Sequence, residues 1–181
     1  NLVMPVARLY MRKMVGHLVL DAESDALNKI LDKAAESGEQ LNLNLLGEAV
    51  LGEEEAKSRA ERTLKLIRNP RVTYVSVKAS SMVAQLNHWD IDGSVERLKE
   101  RLRPLYQAAA DRTDKVFINM DMEEYHDLHL TIRLFKELMS EPEFKNLESG
   151  IVLQAYLPDT FDALKDIADF AKERVAKGGG K

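Results

Sequence analysis

VTYVSVKASS, residues 72–81, is the stretch on which the fold turns. Its first six residues are mostly β-branched or aromatic, the run is too short for an ordinary helix, and Lys78 follows directly. A second run of the same kind, Val116 to Met120 (VFINM), ends against Asp121. Outward from these two, Leu41 to Leu46 (LNLNLL) and Ile151 to Leu153 (IVL, preceded by Gly150) complete four apolar runs. Longer segments with helical periodicity separate them, and strands alternating with helices indicate βα units on a parallel sheet.

The intervening segments carry apolar residues at spacings of three and four. From Ser94 to Asp111 the stripe is Val95, Leu98, Leu102, Leu105 and Ala109, with Ser94 as the expected N-cap and Pro104 as a point for a kink. From Asp127 to Ser140 it is Leu128, Ile132, Phe135 and Leu138 or Met139, and Glu141-Pro142 stops the helix. The last helix follows Pro158, capped by Asp159 or Thr160, with Phe161, Leu164, Ala168, Ala171 and Val175 as its stripe and Gly178 at C′. Ala56 to Arg68 carries Ala60, Leu64 and Ile67, and Ser24 to Ala34 carries Ala26, Leu27, Ile30 and Leu31.

The expected class is therefore α/β. Four βα units are half of what a closed (β/α)₈ barrel needs, and such a barrel takes roughly 250 residues. The organisation expected is N-terminal helices over residues 1–39, then over residues 40–181 the first four units of a TIM-type barrel. The start without Met and the GGGK ending lead us to expect a piece of something longer, with Gly179 and Gly180 leading toward a next strand. A Rossmann-type sheet is the alternative, but no G-x-G-x-x-G follows any of the runs.

Composition excludes several functions. Hydrophobic residues make up 45% and aromatic residues 6% of the 181, as in an ordinary globular protein. The 26 basic and 30 acidic side chains leave a formal charge of −4, and no basic run stands apart, so nucleic acid is not an expected partner. Without cysteine there is neither a disulfide nor a thiolate metal site, and the default compartment is the cytoplasm. Arg8, Arg12, Lys13 and His17 interrupt the apolar first twenty residues, unlike a signal sequence.

In barrel enzymes the chemistry sits at the C-terminal strand ends. Here those ends hold Asn44 with Gly47-Glu48, Lys78 with Ser80-Ser81, Asp121 with Glu123 and Glu124, and Gln154 with Tyr156. A lone polar residue at a strand end is usually only solvated; four in succession on one face point to a site. Tyr74, Phe117, Phe135 and Phe161 read as core, and Met120 and Met122 as packing. No metal site is expected, because His88 beside Trp89, and His126 with His129, lack a third ligand.

LNLNLLGEAVL, VSVKASS, FINMDMEE and IVLQAYLPD resemble, in order and spacing, four strand-end motifs of proline dehydrogenase, in the form found in bifunctional bacterial proline utilisation A enzymes. The resemblance covers Asn42 to Pro158 and implies a FAD-dependent barrel that oxidises L-proline to Δ¹-pyrroline-5-carboxylate, with electrons passing to a membrane quinone. It further implies that Lys78 helps bind the substrate carboxylate and that Glu48 pairs with it. Asp121 would stand beside substrate and flavin, and Gln154 would contact the isoalloxazine ring. The parent would be cytoplasmic, or peripheral to the inner membrane.

Asn44 departs from the family, where Asp is frequent. The R-L-V-K-G-A motif of a fifth strand and the Tyr-x-x-Arg-Arg of a last helix do not occur in these 181 residues, so the chain alone is expected to be inactive. Two other readings are open. Lys78 could form a Schiff base in a class I aldolase, which a neighbouring Glu48 would oppose. Alternatively the chain could act as a folding or association module, its exposed sheet edges pairing with another copy.

Overall fold

The computed structural model describes residues 3–15, 25–45 and 50–181. It divides into two compact units, Asn1–Glu39 and Gln40–Lys181. The first contains α1 (Val3–Val15) and α2 (Asp25–Glu36). In α2 the spacing of Leu27, Leu31 and Ala34 buries one face, whereas in α1 Val3, Met4, Val6, Leu9, Tyr10, Met11 and Met14 are all exposed. No described helix is long and apolar enough to cross a membrane.

The second unit runs β1 (Leu43–Asn44), α3 (Glu53–Arg68), β2 (Tyr74–Lys78), α4 (Ile91–Ala110), β3 (Phe117–Asp121), α5 (Leu128–Met139), β4 (Ser149–Ile151) and α6 (Thr160–Ala176). Short 3₁₀ turns at Ala79–Ser81, Tyr125–Asp127 and Pro142–Phe144 lead out of strands or helices. The strands form one sheet in the order β1-β2-β3-β4, every pair parallel. These are the four βα units expected for part of a (β/α)₈ barrel. The parallel β2–β3 pairing, Tyr74 opposite Phe117 through Lys78 opposite Asp121, follows from two runs of equal length and like composition.

Alternation along the strands sorts the side chains. Val75, Val77, Ile118 and Met120 are buried, and they face the helix layer, where Leu98, Leu102, Leu105, Leu134 and Leu138 are at most 2% exposed. Ser76, Lys78, Asn119 and Asp121 occupy the other face with Tyr74 and Phe117, whose rings meet edge to face at 5.2 Å. The aromatic pair is thus half-buried on the polar face rather than in the helix-facing core. β4 begins two residues earlier than IVL suggests, at Ser149, with Gly150 inside it. A Cβ on Gly150 would lie 2.8 Å from Phe117 Cζ, so glycine lets β4 pass the ring.

Helix ends bring further corrections. α4 starts a turn before Ser94: Asp90 is the cap, accepting from the Gly93 N–H at 2.9 Å. Ser94 is buried inside the helix and donates its hydroxyl to the Asn87 carbonyl at 2.9 Å. The face of α6 is also rotated from the expected stripe. Ala163 and Ile167 pack on the cluster of Met122, Leu128 and Ile132, and Phe170 meets Phe135 edge-on at 6.5 Å. Phe161, Leu164 and Val175 lie outside, at 65%, 52% and 45% exposure. Both stripes have helical spacing, and packing against α5 selects the one whose Phe170 meets Phe135.

Gly178 sits at the C′ position as expected, with φ of +77°. Its N–H reaches the Val175 carbonyl at 2.9 Å and that of Gly179 the Arg174 carbonyl at 2.9 Å, the two bonds of a Schellman end. Beyond it the Ser149 N–H donates to the Lys181 carbonyl at 3.1 Å, so the tail lies along the outer edge of β4.

Candidate active site at the strand ends

The polar residues at the C-terminal ends of β1, β2 and β3 converge because the strands are in parallel register. Lys78 ends β2 opposite Asp121, which ends β3. Two hydrogen bonds hold Asp121: Asn119 Nδ2 donates to Oδ1 at 2.6 Å, and Asn44 Nδ2 donates to Oδ2 at 3.2 Å. Behind them Ser76 Oγ accepts from Asn42 Nδ2 at 2.9 Å and from Asn119 Nδ2 at 3.4 Å. The result is a ladder of amides and one hydroxyl leading to a single carboxylate.

Burial pushes the Asp121 carboxyl above its ordinary range, and the negative charge of Glu123 adds to this. Hydrogen bonds involving Ser76 and Asn119 and the charge of Lys78 act the other way, but desolvation is the larger effect. Asn44 now has a physical meaning: its amide donates to Asp121, whereas a second carboxylate there would add a repelling charge beside a carboxyl already disfavoured as an anion.

Lys78 Nζ forms an ion pair with Glu123 Oε1 at 2.6 Å. The lysine side chain is only 14% exposed and the glutamate 40% exposed, so the pair sits at the mouth of the polar face. Glu48, the partner expected for Lys78, lies outside the described residues. Glu123, one of the two acids after Asp121, was not the partner expected for Lys78, yet it continues the period-two series Asn119, Asp121, Glu123, and that alternation was the available signal. Its backbone matters too. Gln154 Nε2 donates to the Glu123 carbonyl at 2.6 Å, and the Gln154 carbonyl accepts from Thr160 Oγ1 at 2.7 Å. Lys78, Asp121 and Gln154 are therefore joined around one segment, Asp121 to Glu123.

His88, His126 and Asp127 also come together, which their spacing in sequence did not suggest. His88 Nε2 is 2.6 Å from Asp127 Oδ1.

A parallel βα sheet with a lysine, a half-buried aspartate and an amide gathered at its C-terminal strand ends defines the class of barrel proteins that hold ligands at that face. The chain belongs to the proline dehydrogenase family, whose profile matches residues 26–181. It is 29% identical over 157 residues to the bifunctional protein PutA of Escherichia coli strain K12, covering 79% of this chain and 12% of that protein. Among solved structures it is similar to proline utilization A (PutA) from Corynebacterium freiburgense, with 65% identity and a TM-score of 0.90 over 95% of this chain and 18% of the other. It is also similar to PutA from Bdellovibrio bacteriovorus inactivated by N-propargylglycine, with 35% identity and a TM-score of 0.73, covering 81% of this chain and 17% of the other. The chain thus spans about an eighth of the length of the curated relatives it matches.

Proposed function

We propose that this chain supplies one wall of a FAD-dependent proline dehydrogenase site, acting in oxidation of L-proline to Δ¹-pyrroline-5-carboxylate within a larger protein. The observation that carries this reading is the convergence of Lys78, Glu123 and Asp121 at the strand ends of a chain in this family. The ammonium of Lys78 is a point charge for the proline carboxylate, and Glu123 holds it in place while no substrate is there. When substrate enters, its carboxylate competes with Glu123 for the same cation.

The residues present fit a flavin at this face. Gln154 has a second amide hydrogen and a side-chain oxygen beyond the one bond it makes to Glu123, so it can both donate to and accept from a ring edge. Asp121, firmly hydrogen-bonded and half-buried, stands between that amide and Lys78. When bound, FAD supplies the two-electron acceptor. Proline loses a hydride from C5 and the proton on nitrogen as the C5=N bond forms, and the two electrons end on a quinone at the membrane surface. Lys78 orients the substrate by its carboxylate, and Asp121 shapes the cavity wall beside the reacting ring.

The 181 residues contain no Tyr-x-x-Arg-Arg segment. A bidentate arginine pair fixes a carboxylate in charge and geometry, and a lone lysine provides only the charge. The 181 residues also lack the R-L-V-K-G-A strand that grips FAD in the family this chain resembles, so the chain by itself binds FAD weakly or not at all and turns over no proline. Self-association through sheet edges is the second reading, but the tail already lies along the outer edge of β4, which weakens it. A dye-linked assay with L-proline and added FAD, read beside the visible flavin absorption of the purified chain, tests the main reading. Turnover matching an intact domain would show that Lys78, Asp121 and Gln154 are not half of a divided site.

A further inference from the structure

We infer that His88, His126 and Asp127 form a Zn²⁺ site that clips the loop after β2 to the 3₁₀ turn after β3. His88 lies between β2 and α4, and the other two lie in the turn Tyr125–Asp127 that leads into α5. Their candidate ligand atoms all fall within 4.8 Å of one another. Both imidazoles address the same carboxylate oxygen: His88 Nε2 stands 2.6 Å and His126 Nε2 3.7 Å from Asp127 Oδ1. The two rings meet edge to face at 4.4 Å, so one ring does not stack over and cover the other's nitrogen.

The distances suit a tetrahedral ion. With Zn–N and Zn–O bonds of about 2.0–2.2 Å, neighbouring ligand atoms stand roughly 3.3 Å apart. The observed separations of 2.6 and 3.7 Å straddle that value, so small side-chain rotations seat the metal. With three protein ligands, a water molecule would complete the four-coordinate shell.

Charge points the same way. The Asp127 side chain is 7% exposed, and its ion-pair partners among the described residues are these two histidines. A buried carboxylate is costly unless a cation or strong donors compensate it, and neutral imidazoles bring no full charge. One dication beside Asp127 compensates the buried carboxylate directly. Two imidazoles with carboxylate oxygens and no thiolate suit zinc better than soft monovalent copper or a hard, all-oxygen ion such as Mg²⁺.

The test is a titration of the tag-free, chelator-stripped chain with ZnCl₂ by calorimetry, beside thermal melts with and without the metal. One equivalent should bind and raise the melting temperature, because an ion held by the folded state stabilises it by mass action. His126→Ala and His88→Ala should each weaken binding by about tenfold or more and remove most of the melting shift. His129→Ala, a change on the exposed side of α5, should leave both unchanged. His126 is exposed, so its substitution reads ligation without emptying a buried position, as changing Asp127 would. No heat and no melting shift in the unaltered chain would overturn the site, leaving the His88–Asp127 bond as a metal-free tie between loops. So would binding that survives both histidine substitutions.

Discussion

Arg112 and Arg174, at the N-terminal ends of the strands, direct their guanidinium groups mainly to backbone carbonyls, Arg112 also pairing with Asp114 at 2.6 Å, whereas Lys78, at the C-terminal end of β2, holds a carboxylate that is itself 40% exposed. Arg112 donates from Nη1 to the carbonyls of Ile67 at 2.7 Å, Val72 at 2.8 Å and Asn69 at 3.2 Å, and from Nη2 to that of Pro70 at 3.2 Å. It thereby fastens the connection from α3 to β2. Arg174 does the same for the connection from α5 to β4, with Nη2 on Phe144 at 2.7 Å and Leu147 at 2.8 Å, Nη1 on Met139 and Nε on Gly180 at 3.0 Å. Arg112 follows α4 and Arg174 lies in the last turn of α6, and each reaches back to the connection that leads into the preceding strand. At the other end of the sheet the polar side chains bond chiefly to one another and stay partly exposed instead. Barrels divide their labour in this way, with stability at the N-terminal face and ligands at the C-terminal face.

That division predicts the largest effect at the arginines. Arg174→Ala leaves several carbonyls without donors, and a hydrogen bond from a charged group contributes about 1.5–3 kcal/mol. A loss on the order of 3 kcal/mol or more should appear as a lower urea midpoint, with Arg112→Ala close behind. Arg174→Lys should recover little, because an ammonium cannot present the planar fork that spans these carbonyls. A cost below about 1 kcal/mol for both arginines would erase the contrast between the two ends.

Next in size is Gly150→Ala, where the new Cβ would stand 2.8 Å from Phe117 Cζ and 3.0 Å from Asn119 Oδ1. Overpacking of this kind costs about 1–3 kcal/mol. It would also push Asn119 off Asp121, so the same substitution reaches the site. Smaller again is Lys78→Met. The ion pair with Glu123 is partly exposed and contributes about 0–1 kcal/mol, so the melting temperature should scarcely move. A fall as large as that of Arg174→Ala would mean that Lys78 is a structural residue, and the two ends would no longer differ in kind.

The parallel sheet was legible because β2 and β3 are short, β-branched and bounded by polar residues. Lys78 and Asp121 followed from the rule about strand ends. Other features escaped for definable reasons. α6 carries two apolar stripes, and only the shape of α5 chooses between them. Arg112 and Arg174 look like ordinary surface charges near helix ends, since nothing local tells which carbonyls a long side chain will reach. His88 and Asp127 are separated by 39 residues, and the register of two loops brings them together. Glu123 stood among the strand-end acids, but its pairing with Lys78 depends on the backbone course beyond β3.

The smallest effect, and the one that separates the two ends most sharply, concerns Asp121. Its carboxyl is raised above the ordinary range chiefly by burial, so folding favours its protonated form. At pH values below the unfolded-state pKa both states are protonated and the group costs nothing. As pH rises from there through the folded-state pKa, the unfolded chain releases its proton first and stability falls; above that point the cost is complete. Asp121→Asn removes the titration, so the variant should gain on the parent chain as pH rises from the ordinary carboxylate range to neutrality. The asparagine has one acceptor oxygen where the carboxylate used two for Asn119 and Asn44, and this lost bond offsets part of the gain at every pH. The slope of the difference is therefore the readout, obtained from melts of both proteins across that range. A difference that stays constant with pH would show that Asp121 is no more disfavoured as an anion than a surface carboxylate. A slope of that sign would mark Asp121 as a group whose charge costs stability, the opposite of what Arg174 does at the far end of the same sheet.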